Sequence, residues 1–495
     1  MYDFQKPGTA FQIREQRFIA GDDMGLGKTL QTIAAVTATN QFPCLVICPS
    51  SLKINWEKEW KMWTDHKPMV LSDPMKNTFP LFWQAGIADV FIVNYESLRK
   101  YFVADMPRNR KELKLSQIRF FENINIFKSV IIDEAHRVKD PGSIQSKLVR
   151  GIADSKPFIA ALTGTPVINN ATDIAPILAI IGRVKEFGGY SHFVDRYNTK
   201  DVTILNELRD KLYSTCYYRR MKTEVLDLPP KTRRYIEVDI ENREEYDLAV
   251  EDLVRYLIEY KNATNGEIAR KKRMEALVRI GILKEITVRG KMKAMVEFIK
   301  DTHANGQKLI VFGHLKEPLN ELKKKFHCPS IMGSDSTVER EHSIERFQQD
   351  EKANLIICSL KAAGVGVTLT AASNVAFLEQ GWHPAIMDQA EDRANRIGQK
   401  HPVTCHYLQG RDTIDAWVNG IIEDKRKIGN AVMGSDEEEQ KDMDDKLLSM
   451  FMQKYKITHE GSNMARDSKN SASITKTVGR EDSQTEINGS HAPLR

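Results

Sequence analysis

The chain has 495 residues, 41% hydrophobic and 28% charged, with a formal net charge of +5. These are ordinary values for a soluble globular protein, and the length leaves room for about three domains. They exclude a collagen, and the densest apolar run, Ile177 to Ile181, falls far short of the ~18 residues a membrane span needs.

The N-terminus, Met1-Tyr2-Asp3-Phe4-Gln5-Lys6, has no basic segment followed by an apolar stretch, so no signal peptide is expected. Cysteines 44, 48, 216, 328, 358 and 405 stand singly, with no CxxC pair, which excludes a secreted disulfide scaffold. Cys44 and Cys48 flank an apolar run and read as small packing residues rather than metal ligands. A reducing compartment fits this usage.

In chain order, the first element is Gly21-Asp22-Asp23-Met24-Gly25-Leu26-Gly27-Lys28-Thr29, ahead of a helical pattern from Leu30. Glycines let the backbone N–H groups face phosphate oxygens, and the helix N-terminus adds positive potential. Lys28 would reach the β- and γ-phosphates and Thr29 would ligate Mg²⁺. The strict GxxxxGK[ST] pattern fails at its first position, which is Asp22. A plain Gly-rich turn is the bland alternative.

Leu45–Cys48, Val90–Val93, Val130–Ile132 and Phe158–Leu162 follow as continuously apolar strand candidates. Unbroken apolarity is what parallel strands buried on both faces require. The third runs into Asp133-Glu134-Ala135-His136, placing two carboxylates at a strand's carboxyl end, where ligands bind in such sheets. Asp133 could hold the metal and Glu134 activate water. Two solvated carboxylates are the simpler reading of that tetrapeptide taken alone.

Residues 203–290 read as a charged, mostly helical region interrupted by Leu228-Pro229-Pro230. Within 270–293 nine bases face two acids, a pattern that suits phosphate binding but more often marks a solvated helix face. A second strand group follows: Leu309–Phe312, Leu355–Cys358 and Val375–Leu378. Gln389-Ala390-Glu391-Asp392-Arg393-Ala394-Asn395-Arg396-Ile397-Gly398-Gln399 then sets two arginines three apart, which on a helix share one face. Such fork donors on a second lobe could complete a phosphate site on closure. Residues 436–446 are acidic, a short helix is predicted from Leu447 to Tyr455, and the Ser-, Thr- and Asn-rich remainder reads as disordered. The fold class is α/β: two doubly wound parallel-sheet lobes joined by a helical linker.

The series DDMGLGKT (22–29), CPSSLKINW (48–56), NYESL (94–98), DEAH (133–136), LTGTP (162–166), RRMKTEVLDLPPK (219–231), LKAAGVGVTLT (360–370) and QAEDRANRIGQ (389–399) resembles the Swi/Snf-type branch of superfamily-two ATPases in order and spacing. Within it, the chain is closest to the HepA-related, annealing-helicase group. The resemblance covers roughly residues 2–430. It implies RecA-like lobes at 1–225 and 291–434, a linker at 226–290, and an acidic segment and tail at 435–495.

It further implies ATP and Mg²⁺ as cofactors. Gln5 would read the adenine edge, with Gly25, Gly27, Lys28, Thr29, Asp133 and Gly366 around the nucleotide and Thr29 and Asp133 on the metal. Glu134, Lys28, Arg393 and Arg396 would be catalytic. Ser50, Ser51, Asn94, Tyr95, Thr163, Gly164, Thr165, Ser359, Lys361, Gly364 and Trp382 would contact DNA or couple it to the ATP state.

Departures from the family pattern are Asp23, Ile168, His383 and Asn395. Little precedes Gln5, so the accessory modules of eukaryotic annealing helicases are expected to be absent.

The function expected is DNA-dependent ATP hydrolysis driving translocation on duplex DNA through its backbone phosphates, with remodelling or reannealing in repair or recombination. The alternatives are a strand-separating helicase and a non-hydrolysing clamp. A soluble intracellular monomer is expected, in a bacterial or virus-infected cytoplasm rather than a nucleus, with no membrane association.

Overall fold

The computed structural model describes residues 1–107, 113–164, 171–199, 201–261, 266–360, 367–381, 384–427 and 446–455. In chain order its strands begin with β1 (Arg17–Ala20), β2 (Cys44–Cys48), β3 (Pro68–Val70) and β4 (Val90–Asn94). An antiparallel ribbon follows, β5 (Val103–Asp105) with β6 (Arg119–Phe120), and then β7 (Ser129–Asp133), β8 (Phe158–Leu162) and β9 (Tyr217–Tyr218). Apart from the ribbon these form one parallel sheet, ordered β3-β4-β2-β7-β8-β1-β9.

Alternate residues of β7 serve opposite faces of that sheet. Val130 and Ile132 join a core with Phe79, Phe102 and Phe127, while Ile131 packs with Trp56, Trp60 and Phe158. Helices cover both faces, so the strand has no polar side, and this is why it reads as an unbroken apolar run.

The second sheet contains β10 (Lys231–Val238), β11 (Leu309–Gly313), β12 (Ser330–Ile331), β13 (Leu355–Ser359), β14 (Asn374–Phe377) and β15 (Val403–Gly410). It too is parallel, ordered β10-β15-β14-β11-β13-β12. Ile356 and Cys358 face one core, Leu355 and Ile357 the other. All seven strand candidates lie in observed strands, Leu378 alone falling just past the end of β14.

One expectation is corrected here. Residues 231–238, assigned to a helical linker, form β10, the edge strand of the second sheet. Its burial alternates and its sequence, KTRRYIEV, is charged, so no apolar run announces it. The helices Arg243–Lys261 and Gly266–Gly290 are present as expected, but they are not a free linker. Leu253, Leu257, Ile280 and Leu283 pack with Val418 and Ile422 of helix Ile414–Lys427. The predicted helix near Leu447 exists, and Leu447, Leu448 and Phe451 close the same core. Most of the acidic segment and all of the tail beyond 455 lie outside the described residues.

The five bases of the basic stretch whose side chains are described have partners within the fold. Arg279 pairs with Asp252 and Glu275, Arg289 with Glu245, and Lys293 with Glu241. Lys291 is fully buried against Asp415, and the Lys284 ammonium reaches the carbonyl of Gln380. The structure thus gives these five cations internal partners.

Candidate nucleotide site between the lobes

The phosphate loop owes its shape to two glycines. Gly25 and Gly27 have φ of 87° and 77°, a region that L side chains rarely adopt. A Cβ on Gly27 would lie 2.2 Å from the side-chain amide nitrogen of Gln5, so a side chain there would displace the Gln5 carboxamide from the loop. Gln5 itself donates to the carbonyl of Leu26 at 3.1 Å and accepts from the Tyr2 N–H at 2.9 Å. Helix Lys28–Thr39 starts directly after Gly27.

Asp22, the residue that breaks the strict motif, is 1% exposed and accepts from the Arg220 guanidinium, from the Arg220 N–H and from Gln31. Asp23 accepts from Arg219 at 3.3 Å and from the Lys222 N–H at 3.1 Å. The two acids therefore tie the loop to the segment after β9.

Strand β7 carries the acidic pair into the same cleft. The Trp56 indole donates to Asp133 Oδ2 at 2.8 Å, and the buried Tyr95 hydroxyl donates to the Asp133 carbonyl at 2.6 Å. Glu134 sits at φ 53° and ψ 52°, a left-handed conformation uncommon for a non-glycine and often found at functional positions. Burial, then the adjacent Glu134 charge, push the Asp133 carboxyl up to about 7, while Trp56 and Lys28 act the other way. Burial pulls Lys28 below the usual lysine range against the attraction of Glu134 and Asp22. Its ammonium donates to the carbonyls of Asp22 and Asp23 at 2.5 and 3.4 Å.

Thr29 and Asp133 are hard-oxygen donors of the kind Mg²⁺ takes while keeping waters and phosphate oxygens. Two adjacent carboxylates at the end of β7, faced by Lys28 and Arg393, fit a divalent cation. Among the described residues no cluster of three or more metal-ligating side chains offers a different centre.

The second lobe supplies Arg393 and Arg396. They do not share a helical face: helix Pro384–Glu391 ends first, and both lie in the turns that follow. They converge nonetheless, each donating to the carbonyl of Val367, with Arg396 also bonding the Thr368 hydroxyl at 3.0 Å. Burial and repulsion from Arg396 lower Arg393 to about 10. A Cβ on Gly25 would lie 3.6 Å from Arg396 Nε, which puts this arginine against the phosphate loop.

Gln5, Lys28, Thr29, Asp133 and Glu134 line one cleft of about 700 Å³ together with Arg393 and Arg396. That is the size of a small-molecule site. Gly164, at the end of β8, closes on it: a Cβ there would lie 2.5 Å from Met24 Cγ and 3.3 Å from Lys28 Nζ.

The residues expected to contact or couple DNA divide by exposure. Ser50 and Ser51 are exposed on a turn, and Ser51 lines a second cleft of about 510 Å³ with Lys58 from the first lobe and Arg340 from the second. Asn94 donates to Glu96. Tyr95, Thr163 and Ser359 are buried, a placement that suits coupling rather than direct contact. Thr165, Lys361, Gly364, Gly366 and Trp382, with Ile168 and His383, lie outside the described residues. Asn395, another departure, donates to the carbonyl of Pro229 at 3.2 Å.

Sequence reasoning gave no role to Trp56 or Lys222, although both stand inside quoted motifs, Trp56 as the last letter of CPSSLKINW.

Fold and site together define a two-lobed, helicase-like P-loop ATPase core. A model described as SNF2-related domain matches residues 5–289, and one described as helicase conserved C-terminal domain matches 290–398. The chain belongs to the SNF2-related family. It is 30% identical over 479 residues to the "DNA annealing helicase and endonuclease ZRANB3" of Bos taurus, covering 91% of this chain and 42% of that protein. It is 28% identical over 444 residues to the "SWI/SNF-related matrix-associated actin-dependent regulator of chromatin subfamily A-like protein 1" of Xenopus tropicalis, covering 86% and 44%. The chain thus spans less than half the length of these relatives.

The solved Sulfolobus solfataricus SWI2/SNF2 ATPase core in complex with dsDNA is 25% identical, covering 88% of this chain and 93% of that one, with a TM-score of 0.40. The two relatives are animal proteins and give no support to the expected bacterial or viral setting. No described helix is long and apolar enough to cross a membrane.

Proposed function

We propose that this chain hydrolyses ATP in response to duplex DNA and uses the energy to translocate along it, remodelling or reannealing DNA in repair or recombination. The observation that carries the reading is one cleft shared by Lys28, Thr29, Asp133 and Glu134 of the first lobe and Arg393 and Arg396 of the second. A site built from two lobes makes turnover depend on their closure, which is how a chemical step becomes a mechanical one. Membership of the SNF2-related family supports it, as does the similarity to a protein described as a DNA annealing helicase.

Lys28 and the phosphate-loop amides bind the triphosphate, and Gln5, which lines the same cleft, reads the adenine edge. Glu134 orients the attacking water and takes its proton. Arg393 and Arg396 stabilise charge developing on the transferred phosphoryl group. Thr29 and Asp133 would hold Mg²⁺, which when bound neutralises charge on the phosphates. Trp56 fixes the Asp133 carboxylate through its indole N–H.

Duplex DNA is the proposed partner, held through its phosphates. Ser50, Ser51 and Asn94 are the contact candidates, with Tyr95, Thr163 and Ser359 in coupling roles, and Thr165, Lys361, Gly364 and Trp382 keep the roles the resemblance gives them. We keep the lobe limits at 1–225 and 291–434, with the strand 231–238 assigned to the second lobe.

The test is ATP hydrolysis with no nucleic acid, single-stranded DNA, duplex DNA and RNA, followed by triplex displacement and fork unwinding. Duplex stimulation with triplex displacement is expected. Efficient fork separation without triplex displacement would instead make the chain a strand-separating helicase. Absence of turnover would make it a clamp, a reading that the presence of Lys28, Glu134, Arg393 and Arg396 disfavours.

A further inference from the structure

The segment 219–230, which includes the short helix Lys222–Val225, joins the two sheets. It follows β9, at one edge of the first sheet, and precedes β10, at an edge of the second. One residue in it touches both halves of the nucleotide cleft. The Lys222 N–H donates to Asp23 Oδ2 of the phosphate loop at 3.1 Å. Its ammonium donates to Asp392 Oδ2 at 2.6 Å and to the carbonyl of Asn395 at 3.3 Å. Asp392 directly precedes Arg393, and Asn395 directly precedes Arg396, so both bonds grip the turn that carries the two arginines.

The side chain crosses between the lobes beside the phosphate loop. A Cβ on Gly25 would lie 3.5 Å from Lys222 Cε and 3.6 Å from Arg396 Nε, so lysine and arginine flank the same glycine. Asp392 is held on its other oxygen by Lys231 at 3.1 Å, and Lys222 is 13% exposed. No apolar residue could satisfy a carboxylate and a backbone carbonyl at once.

We propose that Lys222 is a positioning residue for ATP hydrolysis: it holds the arginine-bearing turn in register with the phosphate loop, so that closure of the lobes delivers Arg393 and Arg396 to the phosphates. This rests on the ATPase reading above. Lys222 acts through the arginines, so its loss slows the chemical step and leaves nucleotide binding in place. A merely structural ion pair would lower thermal stability and leave kcat unchanged in the folded protein.

The experiment measures kcat and KM for ATP at saturating duplex DNA for the full chain and its Lys222→Met, Lys222→Arg, Asp392→Asn and Lys222→Met/Asp392→Asn variants, with Glu134→Gln as a reference. A misplacement of about 1 Å costs on the order of 10²-fold in rate. Lys222→Met is therefore expected to lose roughly 30- to 100-fold in kcat with KM within about threefold, and Lys222→Arg to recover most of that loss. The double variant should lose far less than the product of the two single losses, because each single change already removes the Lys222–Asp392 bond.

A Lys222→Met kcat within about threefold of the unaltered chain, a loss confined to KM, or multiplied losses in the double variant would overturn the proposal. Should Lys222→Met fail to fold, Asp392→Asn decides, and an unaltered kcat in that variant overturns it. Normal turnover by Glu134→Gln would instead sink the ATPase reading itself, so the two failures are distinguishable.

Discussion

Replacing Arg396 with alanine tests whether the second lobe belongs to the nucleotide site. Arg396 lies some 370 residues from the phosphate loop in the chain, yet its guanidinium nitrogen would be 3.6 Å from a Cβ on Gly25. Its hydrogen bonds go to uncharged acceptors, Val367 O at 3.1 Å and Thr368 Oγ1 at 3.0 Å, so its charge is not spent on a direct ion pair. An arginine delivered to a transferring phosphoryl group accelerates it by about 10³ to 10⁵, or roughly 4–7 kcal/mol of transition-state stabilisation.

The cost to the fold is far smaller. Two hydrogen bonds at about 1 kcal/mol each are lost, and burial of a guanidinium is relieved. Arg396→Ala should therefore lose at least about 10³-fold in duplex-stimulated kcat, keep its affinity for a fluorescent ATP analogue within severalfold, and shift Tm by only a few degrees. Single-turnover hydrolysis and nucleotide titration on the same preparation separate these quantities. A kcat within about tenfold of the unaltered chain would show that the two lobes do not share one site.

Three further outcomes are expected. Glu134→Gln should bind ATP and stop turning it over, a loss on the order of 10³-fold, whereas Lys28→Ala should lose binding as well, and steady-state turnover with a binding assay checks both. Asp133, raised to about 7 by burial and Glu134, stays protonated in the folded, ligand-free protein over a range where the unfolded chain has ionised. It thus favours the fold at low pH, and that contribution is lost as pH rises from about 4 through about 7, so Asp133→Asn should raise the ligand-free Tm more at pH 8 than at pH 5, and an equal gain at both would refute the assignment. Duplex stimulation should fall steeply with salt, by roughly 10³ in affinity between about 50 and 200 mM if some six phosphates are contacted, and a salt-insensitive titration would refute phosphate-mediated binding.

The chemistry-bearing ends of the strands were legible in the sequence because parallel strands covered on both faces must be continuously apolar. Val130–Ile132 could be placed, and with it Asp133 and Glu134 at its carboxyl end. The strand β10 was not legible, since an edge strand with one covered face carries charges along its length, and Arg233 spends its charge on Asp388 and Glu391, a partner some 160 residues away. The arginines Arg393 and Arg396 were found by motif, but the helix assumed for them ends at Glu391, because spacing alone does not separate a helical face from successive tight turns. Asp22 looked like a flaw in the phosphate loop. Its partner Arg220 lies 198 residues downstream, and no local pattern reveals that a position lacking glycine has been given to a buried ion pair.

The hydroxyl of Tyr95 reaches across the sheet. In the sheet order β4 and β7 are separated by β2, so the bond from Tyr95, just past the end of β4, to the carbonyl at the end of β7 spans two strand spacings, about 10 Å. Backbone ladders link only neighbours, and a long, rigid phenol is the kind of side chain that can bridge over one. It works as a crosspiece. The loop after β4, with Asn94 and Glu96, and the peptide that aims Asp133 and Glu134 cannot drift independently while it holds. A load applied to that loop from outside would reach the acidic pair along one stiff ring, with no need for the strand between them to bend.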